Sequence, residues 1–373
     1  MPRLPLVLLA LAALLLPAAA APAVSPTARS SAPTFNGGVY AVAHRGATTY
    51  VGGTFTTATA NGRTYPRERL AAFDSRTGKL LDWSPRADGV VRALAATSDS
   101  VYAAGDFHTV SGERRDSLVR LHPTDGAVRS FRHTLSGTPY TLASGNGRLY
   151  LGGSFTHVAG EKRGNVAAFS LTTGKLDTRW RPVADDTVHA IAVAGPRVYL
   201  GGGFHFVGAV KGTLRLASVN AVSGKVDPVF RPRVPAEVRA ISLDPTGVHV
   251  ATAGVGGRAI SYSYTGAVRW QRVFDGDATA IATTGGITYV GGHFDNACLT
   301  ERNGVKGGCV DGSRRRLKLA AVTSKGQLTS WAPKANGVIG VRVLSVNRVA
   351  GTIEAGGDFT TLDGRARHRF AAF

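Results

Sequence analysis

Apolar and polar residues alternate along most of this chain in short runs, and Gly, Asp, Asn, Ser and Pro cut those runs at close intervals. Alternation with a period of two is the mark of half-buried strands, and the cuts read as turns. The order is plainest near residue 100. Val91-Arg-Ala-Leu-Ala95 predicts one strand, 98–100 a turn, and 101–107 a second strand. Ser111-Gly112-Glu113-Arg114-Arg115 makes a polar connection, 117–122 a third strand, Pro123-Thr-Asp-Gly126 a turn, and 127–132 a fourth. Four short antiparallel strands in a meander form one unit.

The unit repeats. Tyr50-Val51-Gly52-Gly53-Thr54-Phe55 returns with small changes at Tyr102, Tyr150, Tyr199, Tyr289 and Glu354, and in damaged form at His249. These anchors lie 52, 48, 49, 50, 40 and 65 residues apart, a spacing that suits four strands per unit rather than a helical hairpin. The third strand and its turn recur as Leu70-Ala-Ala-Phe-Asp74 with Gly78, and as Val166-Ala-Ala-Phe169 with Gly174. An aromatic follows each turn at Trp83, Phe131, Trp180, Phe230, Trp270 and Trp331. One large ring per unit at a fixed place reads as packing between units. Pro33-Thr-Phe-Asn36-Gly37 aligns with Pro85-Arg-Ala-Asp88-Gly89, and Arg369-Phe-Ala-Ala-Phe373 is a third strand with no fourth behind it. The expected fold is therefore all-β: a seven-bladed β-propeller of four-stranded antiparallel blades. Residues 28–33 would supply the missing outer strand of the last blade, closing the ring.

The composite of YVGGxF, a Gly-x-x-Arg connection, LAAF, TGxLD, an aromatic-x-Pro and V-x-A resembles the delta-60 repeat family of bacterial β-propellers, the DUF5122 type. Val166-Ala-Ala-Phe-Ser-Leu-Thr-Thr-Gly-Lys-Leu-Asp177 and Gly224-Lys-Val-Asp-Pro-Val-Phe-Arg-Pro232 carry it most clearly. The resemblance covers nearly all of the chain after its leader. It implies the propeller architecture and no general catalytic constellation.

Composition narrows the picture. Forty-four Lys and Arg against 24 Asp and Glu give a net charge of +20, which favours anionic surfaces or polymers. Nothing resembles a nucleic-acid module. Arg3, the apolar stretch 4–16 and the small residues at 18–23 predict an export signal over 1–23. Residues 24–31 then make a short flexible start and 32–373 a single propeller. The apolar stretch is short for a membrane span. Cys298 and Cys309 are the only cysteines and are expected to form one disulfide. No GxSxG, HExxH, phosphate-binding loop or CxxC occurs, and no cofactor or metal is expected. Residues 72–79 followed by Trp83 do resemble the tryptophan-docking motif of quinoprotein dehydrogenases, with the Trp displaced by one residue.

Two sets of residues carry candidate chemistry. Connections between second and third strands bring cations to one face: a single recurring Arg fits pairing with Asp88, Asp186 or Asp277, and the excess, chiefly Arg314, Arg315 and Arg316, fits phosphate, sulfate or uronate groups. The variable residue before Phe, namely Thr54, Asp106, His293 and Asp358, is placed to line one arc of that face. The expectation is an exported, monomeric, non-enzymatic binding module. It is extracellular or envelope-associated and takes an anionic or glycan polymer or an envelope protein. The alternative is a propeller enzyme, quinone-dependent or acting on polysaccharide through His293 or Asp358.

Overall fold

The computed structural model describes residues 24–373, all of whose regular structure is β. The expected export signal lies outside the described residues. Seven antiparallel meander sheets follow one another along the chain. Their first strands are Val39–Arg45, Val90–Ala96, Leu135–Gly145, Val188–Ala194, Glu237–Asp244, Ala278–Thr284 and Val341–Asn347. Each pairs with a second strand bearing the Tyr50-type anchor, which pairs in turn with the third. The first strand of each unit packs on that of the next, and the first strand of unit seven packs on that of unit one.

The outermost strand departs from expectation. A regular fourth strand exists only in unit two (Val128–Arg129) and unit five (Val268–Val273). In units one, three, four and six it shrinks to a single bridge, such as Phe73 with Leu80 or Phe169 with Leu176. Those four units carry Pro85, Pro182, Pro232 and Pro333 two residues after the aromatic, where units two and five carry His133 and Arg272. Proline has no N–H for a ladder, so the pairing cannot run on past the aromatic as it does to Val273 in unit five.

Two devices join neighbouring sheets. The slot aromatics are buried and meet the anchor tyrosines edge to face, Tyr50 with Trp83 at 5.0 Å and Tyr289 with Trp331 at 4.9 Å between ring centres. Their polar atoms reach onward: the Trp83 indole donates to the His122 carbonyl and the Tyr50 hydroxyl to the Pro123 carbonyl, both in unit two. The second device is the first glycine of each pair. A Cβ on Gly52, Gly201 or Gly291 would stand 2.5 Å from a methyl of Val91, Val238 or Val341 in the next unit, so glycine lets the sheets close on a β-branched core residue.

Residues 24–31, expected as a flexible start, lie along units six and seven. Arg29 N–H donates to the Ala372 carbonyl, Trp331 to the Ser25 carbonyl and the Arg367 guanidinium to the Ala32 carbonyl. Ser31 covers the turn glycine Gly78 of unit one, as Pro85 covers Gly126 of unit two. Cys298 and Cys309 form a disulfide that staples the insertion of unit six. Asn303 in that loop accepts from Arg258 and donates to the Val255 carbonyl, tying the loop to unit five.

Candidate binding site at the common mouth of the seven sheets

In all seven units the pairing of first and second strands slips at the same place, and unit three slips a second time between Ser136 and Gly137. The slip falls between Val39 and Ala41, Val91 and Ala93, Pro139 and Thr141, Val188 and Ala190, Val238 and Ala240, Ala278 and Ala280, and Val341 and Val343. Each slip is a β-bulge whose extra residue has no partner across the ladder: Tyr40, Arg92, Tyr140, His189, Arg239, Thr279 and Arg342. A bulge re-aims its side chain, and these seven together line one cavity of about 720 Å³. Below them the passage narrows to apolar side chains, among them Leu94, Leu142, Ile191, Ile241, Ile281 and Leu344. The second glycine of each pair makes room for the bulge. A Cβ on Gly53, Gly105, Gly153, Gly202, Gly292 or Gly357 would run into a carbonyl oxygen in the first strand or just before it; unit five alone carries a side chain there, Thr252.

The mouth is polar and internally paired. Arg92 Nε donates to Asp106 at 2.9 Å, and its guanidinium lies 5.7 Å from the centre of the Tyr140 ring. The hydrogen bond to Asp106 holds the Arg92 pKa above its ordinary value. Arg342 repeats the arrangement: it pairs with Asp358 and lies 4.8 Å from the Tyr40 ring centre. The Tyr40 hydroxyl reaches the same carboxylate at 3.3 Å. His189 and Arg239 share Glu237, at 2.5 and 2.9 Å. Burial lowers the His189 pKa, with Arg239 as the next cause, so the imidazole tends toward its neutral form. The Thr279 hydroxyl donates to the Val341 carbonyl.

The four residues before Phe are brought to this region in different roles. Thr54 and His293 line the cavity, along with Asp277, Val338 and Ile339. Asp106 and Asp358 stand behind it and hold Arg92 and Arg342. Arg314, Arg315 and Arg316 do not line it. Ser313–Arg315 is one arm of a small outer hairpin paired with Asn296–Cys298, and similar hairpins carry Arg63, Arg114, Lys162 and Arg365.

Arg316 corrects the grouping of the three arginines. It donates to the Arg315 carbonyl and to the Thr329 carbonyl of its own outer segment. Arg67 does the same with Pro66 and Leu81, and Arg163 with Lys162 and Asp177. This is the recurring Arg of the repeat, and it binds main-chain carbonyls rather than Asp88, Asp186 or Asp277. Asp88 instead accepts from the backbone of His108 and Thr109, and Asp277 from that of Gly254. Arg314 and Arg315 remain exposed.

The bulged residues were missed as site residues. A partial signal was present, since Tyr40, Arg92, His189 and Arg239 are each the variable centre of a V-x-A triplet.

Seven meander sheets presenting their first strands to one cavity are the arrangement of a β-propeller. The WD40 β-propeller domain of Doa1 is similar over 92% of this chain and 95% of that one, at 12% identity and a TM-score of 0.56, and the chain has that fold. The computationally designed Ika8 protein aligns over 91% of this chain and 98% of its own, at 14% identity and a TM-score of 0.48. Residues 98–128 match the family described as a domain of unknown function (DUF5122) β-propeller, the likeness that the repeat pattern carries. No curated protein matches the chain.

Proposed function

We propose that this chain is an exported, non-enzymatic binding propeller, extracellular or envelope-associated, whose seven sheets are the blades of one closed ring and whose ligand sits in the mouth at its axis. Closure is supported by Gly356 of unit seven meeting Val39 of unit one as Gly52 meets Val91, and by Arg29 pairing with Ala372. The observation that carries the binding site is the bulge. Seven units spend an unpaired residue at one register position, and every one of those side chains lines the same cavity. Packing alone gives no reason to re-aim two tyrosines, three arginines and a histidine into one cavity.

The test is capture of native ligands from culture medium and cell wall by immobilised protein. Thr54→Trp would fill the cavity from its rim, and Tyr140→Ala would remove one ring residue. Both are expected to abolish capture of whatever the wild type retains, and equal capture by all three proteins would refute the mouth as the site.

A second surface is favoured by the exposure of Arg63, Arg114, Arg314, Arg315 and Arg365 on the outer hairpins. These suit non-specific hold on a polyanion. Retention on a heparin matrix should weaken steeply with salt and fall in Arg314→Ala/Arg315→Ala; insensitivity to both would remove this surface from the account.

A further inference from the structure

Resting on the mouth as the binding site, we infer that the ligand held there is an uncharged saccharide, in contrast to the acidic polymer that the net charge of the chain suggests. The first ground is charge balance. Arg92, Arg239 and Arg342 are the arginines of the cavity, and each already has a carboxylate from this chain, Asp106, Glu237 and Asp358 respectively. Asp277 adds a further carboxylate to the lining. An incoming anion would have to displace a partner that is covalently tethered and so present at high effective concentration. The +20 charge of the chain therefore has no counterpart in its mouth.

The second ground is the kind of hydrogen bonding left over. Arg92 Nη1, both Nη atoms of Arg342 and the hydroxyl of Tyr140 have no partner among the described residues. Next to these donors stand carboxylates with lone pairs to spare. Donors and acceptors alternating at the rim match a sugar hydroxyl, which gives one hydrogen bond and takes others. A phosphate or carboxylate only accepts and would meet Asp106, Glu237 and Asp358 with repulsion.

The third ground is shape and stiffness. Val338 and Ile339 present exposed apolar surface at the rim, suited to the C–H faces of a pyranose ring, beside Tyr40 and Tyr140, whose rings already carry Arg342 and Arg92. The arginine pairs and their stacking fix the polar groups before a ligand arrives, which lowers the ordering cost of binding.

The experiment is titration calorimetry of the folded protein with cellohexaose, maltohexaose, mannohexaose and chitohexaose, with hexagalacturonate as the acidic arm. One or more uncharged hexaoses should bind with an affinity that changes little between about 50 and 500 mM salt. Tyr140→Ala should weaken that binding by about tenfold or more. Asp106→Asn, which leaves Arg92 uncompensated, should add affinity for hexagalacturonate. Binding of hexagalacturonate alone by the wild type, lost in Tyr140→Ala, would overturn the uncharged-saccharide assignment and leave the mouth as the site. Saccharide binding that Tyr140→Ala and Thr54→Trp leave unchanged would overturn both. Failure of all five probes to bind would overturn the saccharide assignment, with the capture experiment above still measuring the mouth.

Discussion

Gly52 and Gly53 are neighbours in sequence and answer to different constraints. Gly52 yields space to Val91 of the next sheet, whereas Gly53 yields space to the carbonyl opposite a bulge in its own. Unit five shows that the first constraint is steric and reciprocal. Where five units pair Gly with Val, unit five carries Ala251, and the facing residue of unit six is the small Ala278, buried in the same cluster. Gly201→Ala is therefore predicted to overpack against Val238 and to destabilise by about 1–3 kcal/mol. The double variant with Val238→Ala should recover most of that loss, measured as a double-mutant cycle in urea. Additive losses would mean that the two residues do not compete for one space. The doublet was legible as a packing signature in the sequence. Its division of labour was not, because the second role depends on a slip in strand pairing that no single triplet announces.

At the scale of elements, the joint between units one and seven differs from the other joints. At the Tyr50-type position unit seven has Glu354, buried with Thr49, Asn347 and His44 around it. Burial pushes the Glu354 pKa up to about 7 from 4.5, and burial pulls that of His44 down to about 4 from 6.5. The signs oppose each other. Between pH 4.5 and 7 folding takes up a proton at Glu354, so stability falls as pH rises. Between pH 4 and 6.5 folding sheds one at His44, so stability rises. The two slopes largely cancel across their shared window, and the wild-type protein should show a flat profile there. Glu354→Gln should unmask a rise in stability from pH 4 to 6.5, and His44→Gln a fall from pH 4.5 to 7. Each slope should approach about 1.4 kcal/mol per pH unit at its steepest, read from urea midpoints against pH. A flat profile in both variants would show that neither group is perturbed.

Elements also mark where sequence reading succeeded and where it stopped. Alternation and turn glycines located the first three strands of each unit, because both signals are local. The fourth strand was over-read, since the rings of Trp83, Trp180, Phe230 and Trp331 look like strand residues while the ladder has already ended at Leu80, Leu176, Val226 and Leu328. The mouth residues were hidden for a different reason. Tyr40, Arg92, Tyr140, His189, Arg239, Thr279 and Arg342 share a place and no chemistry, so a search for like residues passes over them. The prominent Arg316, by contrast, drew notice by its charge and spends its hydrogen bonds on main chain.

For the molecule as a whole, both ends of the described chain meet in unit seven. Its outer edge is formed by residues 25–32, held by the Arg29, Trp331 and Arg367 contacts and by Val24 and Ala28 against the core of units six and seven. Deleting residues 24–32 should cost roughly 3 kcal/mol from three hydrogen bonds at about 1 kcal/mol each, before any apolar term. The Trp331 environment should loosen first, seen as a red shift of its emission and as faster amide exchange confined to units six, seven and one. Exchange rising evenly across all seven sheets would argue that this segment is not what holds units six, seven and one together.

The bulges have one more consequence, which concerns change over time. A residue without a cross-strand partner can be exchanged without disturbing register, core or turn, so these seven positions form a palette that selection or design can repaint while the rest of the chain stays fixed. On the proposed binding role, their present contents, a tyrosine pair, three arginines, a histidine and a threonine, would be a record of the ligand rather than of the fold. Relatives that share the V-x-A frame and differ at its centre would share the body of this molecule and differ in what they hold.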